Sequence, residues 1–112
     1  MPEKVFEIPL TPRMAERLLR EAVEDSSKLV NTITYGPTEA WYELVSSRQV
    51  VLCLKEGRVV DVPSKDDHGN WIAVSYRLCG GSDVYVTTAI ELNDDRTVRT
   101  VYILKVDNRF RL

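Results

Sequence analysis

Three side chains have the chemistry to move protons and carry charge on a phosphodiester: His68, Arg77 and Arg99. Cleaving RNA without a metal requires a base for the 2′-hydroxyl proton, an acid for the leaving oxygen and cations for charge developing on phosphorus. His68 suits the proton steps, the two arginines suit the charge, and Tyr85 and Lys105 can supply further parts. Trp71 and Tyr85 can stack on unpaired bases. Lys105 adds positive charge on the last strand, and Arg109 and Arg111 extend it past that strand, where phosphates would meet it. On this reading Arg77, Arg99 and Lys105 project from one face of a sheet. Each residue also has a plainer use. A loop histidine bonds to its neighbours, strand arginines face water, and an aromatic pair braces a sheet face. Asp66 and Asp67, beside the sole histidine, make no carboxylate cluster at ligand spacing, so neither a metal nor a cofactor is expected.

The elements that must position these residues are well punctuated. Thr11 at the cap and Pro12 at the first helical position open a helix to Glu24, with Met14, Leu18, Leu19, Ala22 and Val23 on its apolar side. Val30 to Tyr35 is β-branched and aromatic, which suits a short strand. Gly36-Pro37 breaks that run, and Thr38 can cap a helix from Glu39 to Val45. Ser46 or Ser47, with Gln49 reaching back, caps a third helix whose stripe is Val50, Val51, Cys53 and Leu54. Lys55 suits its last turn, and Gly57 is expected to stop it in a left-handed conformation.

From Arg58 the period changes to two. Arg58 to Val62 reads as a strand ended by Pro63, followed by a polar loop from Ser64 to Asn70. Ile72, Val74, Tyr76 and Leu78 alternate with Trp71, Ala73, Ser75 and Arg77, giving a core face and a semi-polar face. Gly80-Gly81-Ser82-Asp83 is a hairpin turn, and Val84 to Leu92 the next strand. Asn93 to Arg96 turns the chain into a last strand, Val98 to Val106. The expected fold class is α+β, with N-terminal helices packed on a roughly four-stranded, mostly antiparallel sheet.

These features together resemble a family. A leading helix, a capped helix ending Cys53-Leu54-Lys55-Glu56-Gly57, a strand, the Asp66 to Trp71 loop and three further strands look like a small bacterial domain-of-unknown-function family. That family is grouped with the RelE-, BrnT- and MqsR-like toxins of toxin–antitoxin operons. The resemblance runs from Leu10 to Lys105 and is most specific from Cys53 to Trp71. It implies a RelE-like fold, RNA cleavage and an antitoxin-like protein partner. The family often carries a His-Ala-x-x-Arg-Met-like segment where this chain reads Tyr35-Gly36-Pro37-Thr38-Glu39-Ala40. Both the His and the Arg are missing, so no catalytic role passes to those positions.

Composition fits one domain over residues 1–112. The divisions are an arm or edge strand at 1–10, a helical part at 11–57, a sheet at 58–106 and a tail at 107–112. The chain is 44% hydrophobic and 29% charged, enough for a single core without staples. Its formal charge of −2 gives no global argument for nucleic acid or a membrane surface. Charge is nonetheless uneven: residues 1–47 hold five basic and eight acidic side chains, whereas Arg96 to Leu112 holds five basic side chains against Asp107 alone. Cys53 and Cys79 lie far apart without a CxxC and read as small buried hydrophobes in a reducing compartment. With no leader and no apolar run near the ~20 residues of a membrane helix, a cytoplasmic location is expected. Three functions follow: an RNA-cleaving toxin or its weakened descendant, a non-catalytic module holding a protein partner, and a small-molecule enzyme or interaction protein on this scaffold.

Overall fold

The computed structural model describes residues 9–32, 47–79 and 81–110. The expected N-terminal arm, the helix at Glu39 to Val45, the end of the strand at Val30 to Tyr35, the Ser46 cap, Gly80 and Arg111 lie outside them. Helix α1, Pro12–Glu24, begins as its sequence dictates: the Thr11 hydroxyl accepts from Met14 N at 3.1 Å, and Pro12 fills a position that needs no amide. Ala15, Leu18, Leu19 and Ala22 are its buried side. A 3-10 turn at Ser26–Lys28 leads into β1, Leu29–Asn31. Helix α2, Ser47–Glu56, buries Cys53 and Leu54.

The sheet follows in β2 Arg58–Val59, β3 Ser64–Lys65, β4 Trp71–Cys79, β5 Ser82–Leu92 and β6 Val98–Phe110. Its order is β1-β6-β5-β4-β2, with β3 also on β4. The class is α+β as expected, but the sheet is larger and mixed. Six strands are described where four were expected, and β1 runs parallel to β6, Val30 facing Tyr102. That pairing joins segments too distant in sequence for local pattern to reveal. The strand expected from Arg58 to Val62 is cut short to Arg58–Val59, and a further short strand, Ser64–Lys65, stands where a polar loop was expected. Val60 N still donates to Val74 O at 3.0 Å, but Pro63 has no amide to give and the chain leaves β4 before returning at Ser64.

Period two identified both faces of β4, but the structure exchanges them: the face expected to be core, Ile72, Val74, Tyr76 and Leu78, is the open one, and the face expected to be semi-polar is the one the helices cover. Trp71, Ala73, Ser75 and Cys79 are buried, while Ile72, Val74 and Tyr76 are half-buried and Leu78 is exposed. The helices therefore pack on the face that carries the smaller residues. Ala73 and Ser75 permit that approach, and the core closes with Val84, Val86 and Ile90 of β5 and Val101 and Val106 of β6. Gly57 has a different role from the left-handed stop expected of it. Its φ is not positive; instead, a Cβ there would run into Cys53 O and stand 2.5 Å from Tyr76 O. Only glycine lets the end of α2 lie against β4.

Candidate functional site

The loop joining β3 to β4 is built around Asp66. One carboxylate oxygen accepts from His68 N and Asn70 N, both at 2.9 Å, while Asp66 N donates to Asn70 O at 2.9 Å. Gly69 supplies the positive φ of 80° that the turn requires. Asp66, Gly69 and Asn70 are thus accounted for by turn geometry. His68 is the exposed tip of that loop, and its ring makes no hydrogen bond among the described residues.

The expected catalytic residues are not gathered at one point. Arg77 lies six positions along β4 from Trp71, about 20 Å at strand rise, so it is far from the His68 loop. It also faces the helices. Opposite Val84, its Nη2 pairs with Glu56 Oε1 at 3.2 Å and its Nη1 donates to Cys79 Sγ at 3.2 Å. The contact with the Cys79 thiol, ahead of the Glu56 carboxylate, raises the Arg77 pKa. Lys105, opposite Thr87, is on the other face. Arg99 is exposed at an irregularity beside Thr100, at the His68 end of the sheet. Of the three, only His68 and Arg99 share an end.

The residues expected to bind RNA are also divided. Trp71 is buried on the helix side, 9% exposed, with Lys65 Nζ 5.5 Å from its ring centroid. Its large side chain fills core space, which excludes base stacking without unpacking. Tyr85 does lie on the outer face, paired with Tyr76 at a centroid distance of 5.1 Å. Arg109 stands opposite Asp83 in the β5–β6 register. Among the described residues no group of His, Cys, Asp and Glu could hold a metal ion.

Geometry draws attention to that outer face, which no described helix covers. Val30, Leu78 and Leu104 are 39%, 48% and 40% exposed, and half-buried Ile72 and Val74 lie between them. Tyr76 donates its hydroxyl to Asp83 Oδ1 at 2.6 Å, and Tyr102 to Glu91 Oε1 at 3.4 Å. A groove of about 330 Å³ runs between the His68 loop and β6, floored by Ala89 and walled by Tyr102 and Leu104. Asp83, Glu91 and Asp107 stand on this face against Lys105, among side chains that are described. The sequence concealed the patch by splitting it over four strands. The Tyr pair was concealed too: a turn over Gly80 to Asp83 would set Tyr76 opposite Thr87, whereas the strands pair Cys79 with Ser82 and so Tyr76 with Tyr85.

Three other groups have shifted titrations or unusual geometry. Burial pushes the Cys53 thiol up to about 12. Asp95, bonded to the Thr97 hydroxyl and amide in the β5–β6 turn, is held below the usual carboxylate range. Arg96, next to it, has φ 66° and a buried Nη2 with no hydrogen-bond partner among the described residues. Positive φ in a side chain other than glycine costs roughly 1–2 kcal/mol. Comparison of the chain with protein-family models, with curated proteins and with solved structures finds no match.

Proposed function

We propose that this chain is a non-catalytic binding module on a RelE-like scaffold, holding a protein partner against the outer face of its sheet. The observation that carries this reading is the sheet face that no described helix covers. Val30, Leu78 and Leu104 are exposed on the same face as the Tyr76–Tyr85 pair, and exposed apolar surface gathered on one face of a folded domain marks an interaction site. Aromatic anchors with an apolar surround suit a protein interface, and Asp83, Glu91 and Asp107 favour a partner with basic groups at the rim. The same carboxylates disfavour a phosphate backbone.

The resemblance from Cys53 to Trp71 supports the scaffold and an antitoxin-like partner. The missing His and Arg at Tyr35 to Ala40, together with the distance from His68 to Arg77, weigh against RNA cleavage. Induced expression tests the choice. Growth without arrest, and no cleavage of labelled single-stranded RNA at micromolar protein, is the expected result. Arrest that is relieved by His68→Ala would restore the ribonuclease reading.

A further inference from the structure

We propose that a second copy of this chain covers the outer sheet face, the two sheets stacking about a two-fold axis that runs along the strands. The inference rests on the docking reading above and names the partner. Rows across the sheet show why a copy fits. Tyr76 and Tyr85 are flanked in register by Arg58 on β2 and Asp107 on β6, so one row reads cation, two aromatics, anion. All four belong to the outer face, because successive strand residues alternate sides and the neighbouring row, Val59, Ser75, Val86 and Val106, is buried under the helices.

Such a row complements itself in one orientation only. Aligned stacking of two sheets by a two-fold axis allows that axis along the rows or along the strands. An axis along the row lays Arg58 on Arg58 and Asp107 on Asp107, which sets like charges together. An axis along the strands, between β4 and β5, lays each Arg58 on the second copy's Asp107 and each Tyr76 on the second copy's Tyr85. The adjoining rows agree: Ile72 then meets Ala89, large on small, and Val74 meets Thr87. Within one chain Arg58 and Asp107 stand three strands apart, about 14 Å, with the tyrosines between them, so their complementarity is between copies.

The area suffices for a weak dimer. Four strand widths at about 4.8 Å and the nine residues of β4 at about 3.4 Å make roughly 600 Å² per copy, or about 1,200 Å² in all, the lower bound for a stable specific interface. Val60, Leu78 and Leu104 supply exposed apolar surface within it. A contact of that size is expected to dissociate in the micromolar range.

The test is analytical ultracentrifugation of the intact chain from low to high micromolar concentration, where a reversible monomer–dimer equilibrium is expected. Arg58→Glu and Asp107→Lys each set like charges face to face. Each should raise the dissociation constant at least tenfold while unfolding at a parent-like urea concentration. An equimolar mixture of the two variants should regain parent-like dimerisation, because both charge pairs are then made with opposite signs. A mixture that stays monomeric, or single variants that dimerise as the parent does, would overturn the inference. So would a monomeric parent: if it still binds a protein partner and loses it on Leu78→Lys, Leu104→Lys, the docking face stands and only the second copy falls, whereas a monomeric parent that takes no partner on this face loses both.

Discussion

Tyr76 and Tyr85 face each other across β4 and β5 with ring centroids 5.1 Å apart and planes tilted by 46°. They stand on a sheet face left bare by the described helices. A cross-strand aromatic pair contributes roughly 0.2–1 kcal/mol. Tyr85→Ala should therefore lower urea stability by about that amount. Leu78→Lys, at a half-exposed position near the strand end, should change it by less than about 0.5 kcal/mol. If Leu78→Lys unfolds the domain, this face is core and the docking reading fails.

Contact between α2 and β4 depends on one side chain that fills space and one that must be absent. Leu54 is 2% exposed, so Leu54→Ala should cost about 2–5 kcal/mol in chemical denaturation. Gly57→Ala forces a Cβ against Cys53 O and Tyr76 O, both backbone atoms, and should cost at least about 1–3 kcal/mol, as overpacking does. Parent-like stability for Gly57→Ala would mean that α2 does not approach the sheet this closely.

Both helix starts and the strand period were legible because Thr11-Pro12, Gly80-Gly81 and alternating apolar residues act locally. The side that α2 covers was not, since Ile72, Val74 and Trp71, Ala73 alternate with equal regularity and only the distant helix decides between them. Candidate chemistry was misleading for a related reason. Arg77 has the right residue type, but its partners Glu56 and Cys79 become visible only when β4 and α2 meet. Arg96 had no sequence signal, because nothing local shows that the fold places an arginine where a turn favours glycine.

Cys53 should make stability fall in alkali. Its thiol is raised to about 12 by burial, whereas in the unfolded chain it ionises near the ordinary value of 9.0. The contribution is fully present below pH 9 and is lost as pH rises from there towards 12, because only the unfolded form then releases the proton. Urea midpoints at pH 8 and pH 10, compared between parent and Cys53→Ala, isolate the effect from other alkaline titrations. A steeper decline in the parent is expected; parallel declines would place the thiol in water.

Docking on the sheet face is tested most directly by size-exclusion chromatography of the chain co-expressed with the product of its neighbouring gene. Parent and a Leu78→Lys, Leu104→Lys double variant are run side by side. The expected result is a stoichiometric complex for the parent and a double variant that elutes alone while unfolding at a parent-like urea concentration. A double variant that stays in complex would contradict the account. So would a parent that elutes alone and binds single-stranded RNA with affinity falling steeply as salt rises.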